Sequence, residues 1–172
     1  LRAGEMLGLV GLRGAGQEQV GRALFGLAEI DAGTVTLGGA PPDLSGPGAA
    51  MRAGIGLVAG DRTAESLAMT LSVRENLFLN PAAKGRGTLC WQRPAVEQGH
   101  ARVLCGRFGV RPSDPARPAE TLSGGNQQKV VIARWLEIAA KLLILEEPTA
   151  GVDVGAKAEI YALLNAALER GL

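Results

Sequence analysis

Leu122-Ser123-Gly124-Gly125-Asn126-Gln127-Gln128-Lys129 and Leu142-Leu143-Ile144-Leu145-Glu146-Glu147-Pro148-Thr149 are the two stretches whose order decides the fold. The first opens a long amphipathic helix, expected over Gly125 to Ala140. The second is a buried strand, Leu142 to Leu145, that ends in two carboxylates. Working outward, the same alternation recurs. On the C-terminal side, Ala156 to Glu169 reads as a closing helix. On the N-terminal side, Ile55 to Val58 (IGLV) is a second apolar strand, and Thr34 to Leu37 is a short strand with Gly38-Gly39 as its turn. Met6 to Val10 (MLGLV) reads as a strand that runs into a glycine loop, Gly11 to Gly16. A helix over Gln17 to Leu27 follows, with Val20, Leu24 and Leu27 at helical spacing. Short apolar strands joined by helices predict an α/β fold with a mostly parallel sheet.

Between these parts lies a stretch with no strand pattern. Ser72 is the N-cap of a helix through Arg74, Glu75 and Leu77, with Glu75 placed to close a capping box. Pro94 to Phe108 reads as a further helix with Val96, Val103 and Leu104 on its apolar side. Arg111 to Pro118 carries three prolines and serves as a connection. The expected organisation is therefore a core of residues 1–70 and 118–172, interrupted by a helical insertion over 71–117.

Composition sets the bounds. The chain has 172 residues, enough for one domain, and 47% apolar residues give it a core to bury. Lys+Arg 18 against Asp+Glu 17 leaves no field that would draw in nucleic acid or an acidic membrane. Cys90 and Cys105 lack metal-ligand spacing and read as reduced, cytosolic thiols. No apolar run reaches the ~18 residues of a spanning helix, and no signal peptide opens the sequence. The pattern begins inside a strand and ends just after a helix, so the chain is expected to be a piece of a larger protein.

Three strings carry chemistry. In the first, a strand, a glycine loop and a helix start converge backbone N–H groups on an anion, as a phosphate needs. Gly11, Gly14, Ala15 and Gly16 supply that loop, and the pattern G-x-x-x-x-G-K-[ST] matches at Gly11 and Gly16. It then fails, because Gln17 stands in the lysine's place and Glu18 in that of the Mg²⁺-binding hydroxyl. Losing a charge-assisted bond to phosphate costs roughly 1.5–3 kcal/mol. A carboxylate ~5 Å from a phosphate repels it by about 3 kcal/mol at an effective dielectric near 20. Alternatively, the glycines merely make a tight turn. A dinucleotide fold is excluded, since G-x-G-x-x-G needs a glycine where Gln19 stands.

The second string places Ser123, Gly124 and Gly125 at a helix start, with free N–H groups and a hydroxyl facing outward. A serine N-cap explains Ser123, but two glycines cost the helix up to about 1 kcal/mol each. Something must approach that backbone closely. In the third string, Glu146 and Glu147 lie at the C-terminal edge of a parallel sheet, where ligands of such folds sit. One carboxylate there can hold Mg²⁺ through water and the next can orient an attacking water. A solvated strand end is the plain alternative.

Together, the three strings resemble the ATP-binding-cassette family. The likeness extends to GLRGAGQE, AGDR at Ala59 to Arg62, SVRENL at Ser72 to Leu77, LSGGNQQKVVIARWL and EEPTAGVDVGAK. These resemble the second cassette of tandem-cassette bacterial importers of monosaccharides such as ribose, xylose, arabinose and galactosides, which also lacks the phosphate-loop lysine. The resemblance implies a P-loop NTPase-like core with a helical subdomain, and ATP and Mg²⁺ as cofactors. It further implies a preceding cassette in the same polypeptide, transmembrane permease subunits, a periplasmic sugar-binding protein acting indirectly, and no nucleic acid. The implied location is the cytoplasmic face of the bacterial inner membrane.

Residue by residue, Gly11, Gly14, Ala15, Gly16, Gln17 and Glu18 match the Walker A region. Leu122, Ser123, Gly124, Gly125 and Gln127 match the signature that clamps ATP held by the opposite cassette. Glu146 matches the Mg²⁺-linked acid of Walker B, Glu147 the catalytic glutamate and Asp153 the D-loop acid. Glu146 departs from the usual aspartate, and Gly60 stands where the family has glutamine or glutamate. The adenine-stacking loop and the switch loop of the family fall before Leu1 and after Leu172. Two readings follow. In one, this cassette hydrolyses its own ATP with Glu147; in the other, favoured by the broken loop, its signature completes a site in the partner cassette and the isolated fragment turns over negligible ATP. A non-transport cassette of DNA repair or translation is a third reading, against which stands the lack of zinc cysteines, long coiled coils and basic arms. Trp91 and Trp135 read as packing or interface residues, and Arg62 and Arg74 as either permease-facing or solvated charges.

Overall fold

A computed structural model describes residues 1–12, 14–80, 93–138 and 140–172. Arg13 of the glycine loop, Cys90 and Trp91 lie outside the described residues. The elements run α1 (Gln17–Leu24), α2 (Pro47–Ala53), β1 (Ile55–Val58), α3 (Val73–Leu77), α4 (Pro94–Arg107), α5 (Gly124–Glu137), β2 (Leu142–Leu145) and α6 (Val154–Leu168). A π-helical turn (Arg62–Ser66) follows β1, and a 3-10 turn (Ala119–Thr121) precedes α5.

Strands β1 and β2 pair in parallel, with Ile55 opposite Leu142 and Val58 opposite Leu145. A parallel pair requires a crossover, and here the crossover contains α3, α4 and α5. Helix α5 lies against β1, and Trp135 fills the space over Gly56, where a Cβ would stand 2.8 Å from the indole. Phe25 meets Trp135 edge to face, with centroids 5.9 Å apart. Ile55, Val58, Val73, Leu104, Val130, Val131, Ile132 and Ile160 form the heart of the core.

Local chemistry sets the helix starts as expected at Ser72 and at the connection after α4. Ser72 accepts from Glu75 N, and the Glu75 carboxylate accepts from Ser72 N at 2.8 Å, closing the capping box. The ends of the 71–117 stretch are stitched together. Val73 N donates to Arg117 O at 2.8 Å, and Ala119 N donates to Leu71 O at 2.9 Å.

Several expectations are corrected. Met6 to Val10 forms no strand: it pairs with no other strand among the described residues, and Val10 is 98% exposed. An apolar run becomes a strand only when a neighbour satisfies its backbone. Thr34 to Leu37 shrinks to one antiparallel bridge, Leu37 to Ala40, around the expected Gly38-Gly39 turn. Pro47–Ala53, for which the sequence announced no helix, is α2 with proline in its first turn. On α1 the buried residue is Gly21, whereas Val20 and Leu27 are exposed. On α4 the inward stripe is Ala101, Leu104 and Cys105, continued by Phe108, while Val96 and Val103 face outward. Strand β2 is half-buried, not buried.

Candidate functional site

The phosphate-loop end is built from the α1 N-terminus and the C-terminal edge of the sheet. Gly14 (φ 82) and Gly16 (φ 90) adopt the left-handed conformation, and Gly16 is the N-cap of α1. Only glycine takes this geometry without strain, so the turn itself demands these two residues. One of the loop's N–H groups and one from the first turn of α1 are spent internally: Ala15 N donates to Leu12 O at 2.9 Å and Gln19 N to Gly16 O at 3.0 Å. The Gln17 side chain folds back toward Gly11, and its Oε1 is buried with no hydrogen-bond partner. Neither Gln17 nor the Glu18 carboxylate brings the positive charge that a phosphate-loop lysine supplies.

Glu146, at the end of β2, is held from two sides. Arg22 Nε donates to its Oε1 at 3.0 Å and Arg22 Nη2 to its Oε2 at 3.1 Å, a fork–fork pair across the sheet edge. Gly60 N also donates to Oε2 at 3.1 Å. Arg22 Nη2 further donates to both oxygens of Glu65 at 3.0 Å. Hydrogen bonding to Glu65 first and to Glu146 second raises the pKa of the guanidinium, which stays charged. Contact is possible because Gly21 lets α1 lie on β2: a Cβ there would stand 2.8 Å from Ile144 Cγ2. Glu147 follows, exposed and at φ 43, a left-handed backbone uncommon for a residue with a side chain and typical of functional turns.

The residues expected to bind Mg²⁺ do not fit it. Octahedral Mg²⁺ wants free oxygen ligands at about 2.0–2.1 Å, yet both oxygens of Glu146 accept from fixed donors and a guanidinium sits beside them. Glu18 supplies no hydroxyl, and no group of three or more His, Cys, Asp or Glu among the described residues gathers to hold a metal.

The signature end lies at the α5 N-terminus. Ser123 is the N-cap, but its hydroxyl caps no N–H; Asn126 Nδ2 donates to it at 2.9 Å, and the residue is exposed. Leu122 is buried beneath it. The two glycines are each crowded from within the chain. A Cβ on Gly125 would stand 2.4 Å from Ala156 Cβ, where α6 crosses. A Cβ on Gly124 would stand 2.7 Å from Arg62 Nη2 and 3.0 Å from Gly151 O. The close approach expected there is thus met by the protein itself. Asp153 accepts from Ala156 N at 2.9 Å and so caps α6.

Arg62 joins these parts. Its Nε donates to Gln127 Oε1 at 3.2 Å and its Nη1 to Ala150 O at 2.9 Å. Gln127 Nε2 in turn donates to Ala119 O at 3.2 Å. The π-helical turn that carries Arg62 is capped by Asp61, which accepts from Thr63 N and Ala64 N, both at 3.0 Å. Bonds from the Thr63 side chain first, then these N–H groups, hold the Asp61 carboxyl below its ordinary range. Arg62 is therefore half-buried and bonded within the domain. Arg22, Glu65 and the Gly60 N–H went unread because their partner, Glu146, is 124 residues from Arg22 in sequence.

The structure brings Glu146 to the helix that follows the glycine loop, and Asp153 to the signature. It does not join the two ends: among the described residues no hydrogen bond or ion pair links Ser123 or Gln127 to Gly11–Glu18.

Comparison with known proteins decides the family. The ABC transporter family model matches residues 1–150. The chain belongs to the ABC transporter family. It is 49% identical over 169 residues to the ribose import ATP-binding protein RbsA 2 of Streptomyces coelicolor, covering 96% of this chain and 32% of that protein. Against the ribose import ATP-binding protein RbsA of Halalkalibacterium halodurans it is 42% identical, covering 100% of this chain and 34% of that protein. This ABC-family chain thus spans about a third of the length of these relatives. Its α/β fold is that of solved cassettes. The ATP-binding cassette MJ1267 superposes with a TM-score of 0.80 at 23% identity, covering 100% of this chain and 69% of that one. Clostridium perfringens cbiO1, part of the complex cbiONQ, gives 0.74 at 24% identity, covering 98% and 64%.

Proposed function

We propose that this ABC domain is the second, degenerate cassette of a bacterial monosaccharide importer, whose signature completes an ATP site in the preceding cassette of the same polypeptide. One observation carries the reading. Ser123 presents an exposed hydroxyl that caps no backbone N–H and accepts from the Asn126 side chain, while the domain's own phosphate-loop end offers Gln17, Glu18 and an arginine-bound Glu146. In the assembled transporter, ATP binding and hydrolysis drive sugar import. There Ser123 and Gly124 face ATP held in trans, with the buried Gly125 and Gln127 supporting them from beneath; Asp153 serves the D-loop, and Mg²⁺ acts at the partner's site. Glu147 is retained at the catalytic glutamate's position, and the isolated chain turns over negligible ATP. Residues 1–70 and 118–172 form the RecA-like core, and 71–117 the helical subdomain, whose ends meet at the Ser72–Pro118 bridge. Partners are the permease subunits and, indirectly, a periplasmic sugar-binding protein. The position is the cytoplasmic face of the inner membrane; among the described residues no helix is long and apolar enough to cross it.

Restoring the loop tests the reading. Gln17→Lys with Glu18→Ser returns one charge-assisted bond and removes one repulsion, together about 4–6 kcal/mol. Equilibrium binding of a fluorescent ATP analogue should tighten at least a hundredfold in the double variant. Equal affinity in wild type and variant would mean that the native loop already binds nucleotide well, and the reading fails.

A further inference from the structure

We infer that Arg22 is the resident cation of this cassette's phosphate-loop end, its guanidinium holding the Glu146 carboxylate where a divalent ion would otherwise be bound. The inference deepens the degenerate-cassette reading and rests on it for the identity of the site. The carboxylate offers about four lone-pair positions, and Arg22 Nε, Arg22 Nη2 and Gly60 N occupy three of them. The guanidinium is also held by Glu65, on the turn capped by Asp61, through the same Nη2 that bonds Glu146. A planar fork gripped by two carboxylates has one orientation, so it is a fixed part of the site and not a wandering surface charge. Glu146 is largely covered, with its side chain 11% exposed, whereas Glu65 is exposed. Arg22 already neutralises one of the two carboxylate charges, and Mg²⁺ beside it would set two cations together. Glu146, a methylene longer than aspartate, reaches the arginine across the packed α1–β2 contact at Gly21 and Ile144.

The test is a titration of the chain with Mn²⁺ alone, followed by electron paramagnetic resonance. Wild type should show no saturable site involving Glu146. Arg22→Met frees the two carboxylates, and Mn²⁺ affinity should rise at least about tenfold, with the gain lost in Arg22→Met/Glu146→Gln. Arg22→Lys, which keeps the charge, should stay like wild type. Circular dichroism establishes that each variant is folded, and a rise in melting temperature with Mn²⁺ confined to Arg22→Met gives a second readout. A saturable wild-type site lost in Glu146→Gln overturns the inference. So does a folded Arg22→Met that gains nothing. Because the titration contains no nucleotide, its outcome is separate from whether the loop binds ATP.

Discussion

Gly125→Ala should destabilise the chain, and Ala156→Gly should rescue it. Two methyl carbons normally approach no closer than about 3.5 Å, yet the new Cβ would stand 2.4 Å from Ala156 Cβ. Helix α6 must therefore move off α5 by roughly an ångström, and overpacking of this kind costs about 1–3 kcal/mol. Against this, alanine in place of glycine in a helix returns up to about 1 kcal/mol, leaving a net loss of about 1–2 kcal/mol. Ala156→Gly alone gives up about 0.5–1 kcal/mol of helix propensity. In the double variant the propensity terms oppose and the clash is gone, so stability should lie within about 0.5 kcal/mol of wild type. Urea unfolding followed by circular dichroism measures all four proteins, and for a chain this long each kcal/mol moves the melting point by about 2–4 °C. The coupling between the two sites should be about 1–3 kcal/mol in favour of the double variant. Additive single effects would refute the claim that packing against α6 is what demands glycine at the signature.

Arg62→Ala removes bonds to Gln127 and Ala150 and should cost about 2 kcal/mol in urea unfolding; Arg62→Lys, lacking the fork, should recover less than half. Wild-type stability in Arg62→Ala would show that the clamp is idle. Acid unfolding should report the capping box at α3. Hydrogen bonding from Ser72 side chain and backbone holds the Glu75 carboxyl below the ordinary 4.5, so its stabilisation is complete above that pH and is lost as pH falls through the depressed value. Glu75→Gln should flatten the stability–pH curve in that acid window, and an unchanged slope would count against the cap.

What was legible in the sequence was local or chemically strict. Ser72 and Glu75 announce their capping box three residues apart, and IGLV and LLIL announce strands by composition and length. Met6 to Val10 has the same apolar signature yet no paired neighbour, and pairing is a property of two segments, not one. Helix α4 misled because two members of its buried stripe, Ala101 and Cys105, are small beside Leu104, while the more apolar-looking Val96 and Val103 are exposed. At the signature, the glycines correctly announced close approach. What approaches, namely Ala156, Arg62 and Gly151, depends on segments folded in from both directions. The Arg22–Glu146–Glu65 cluster left no trace in sequence, since no spacing rule relates residues 124 apart.

The central claim, that Ser123 serves ATP bound elsewhere while Glu147 does little, is tested most directly by steady-state ATPase of the intact transporter carrying one substitution at a time. Ser123→Arg puts a bulky cation on the exposed hydroxyl and should abolish turnover, whereas Glu147→Gln, which keeps size and removes only the charge, should leave most of it. Turnover lost equally in both variants would contradict the account and make this cassette a hydrolytic site in its own right.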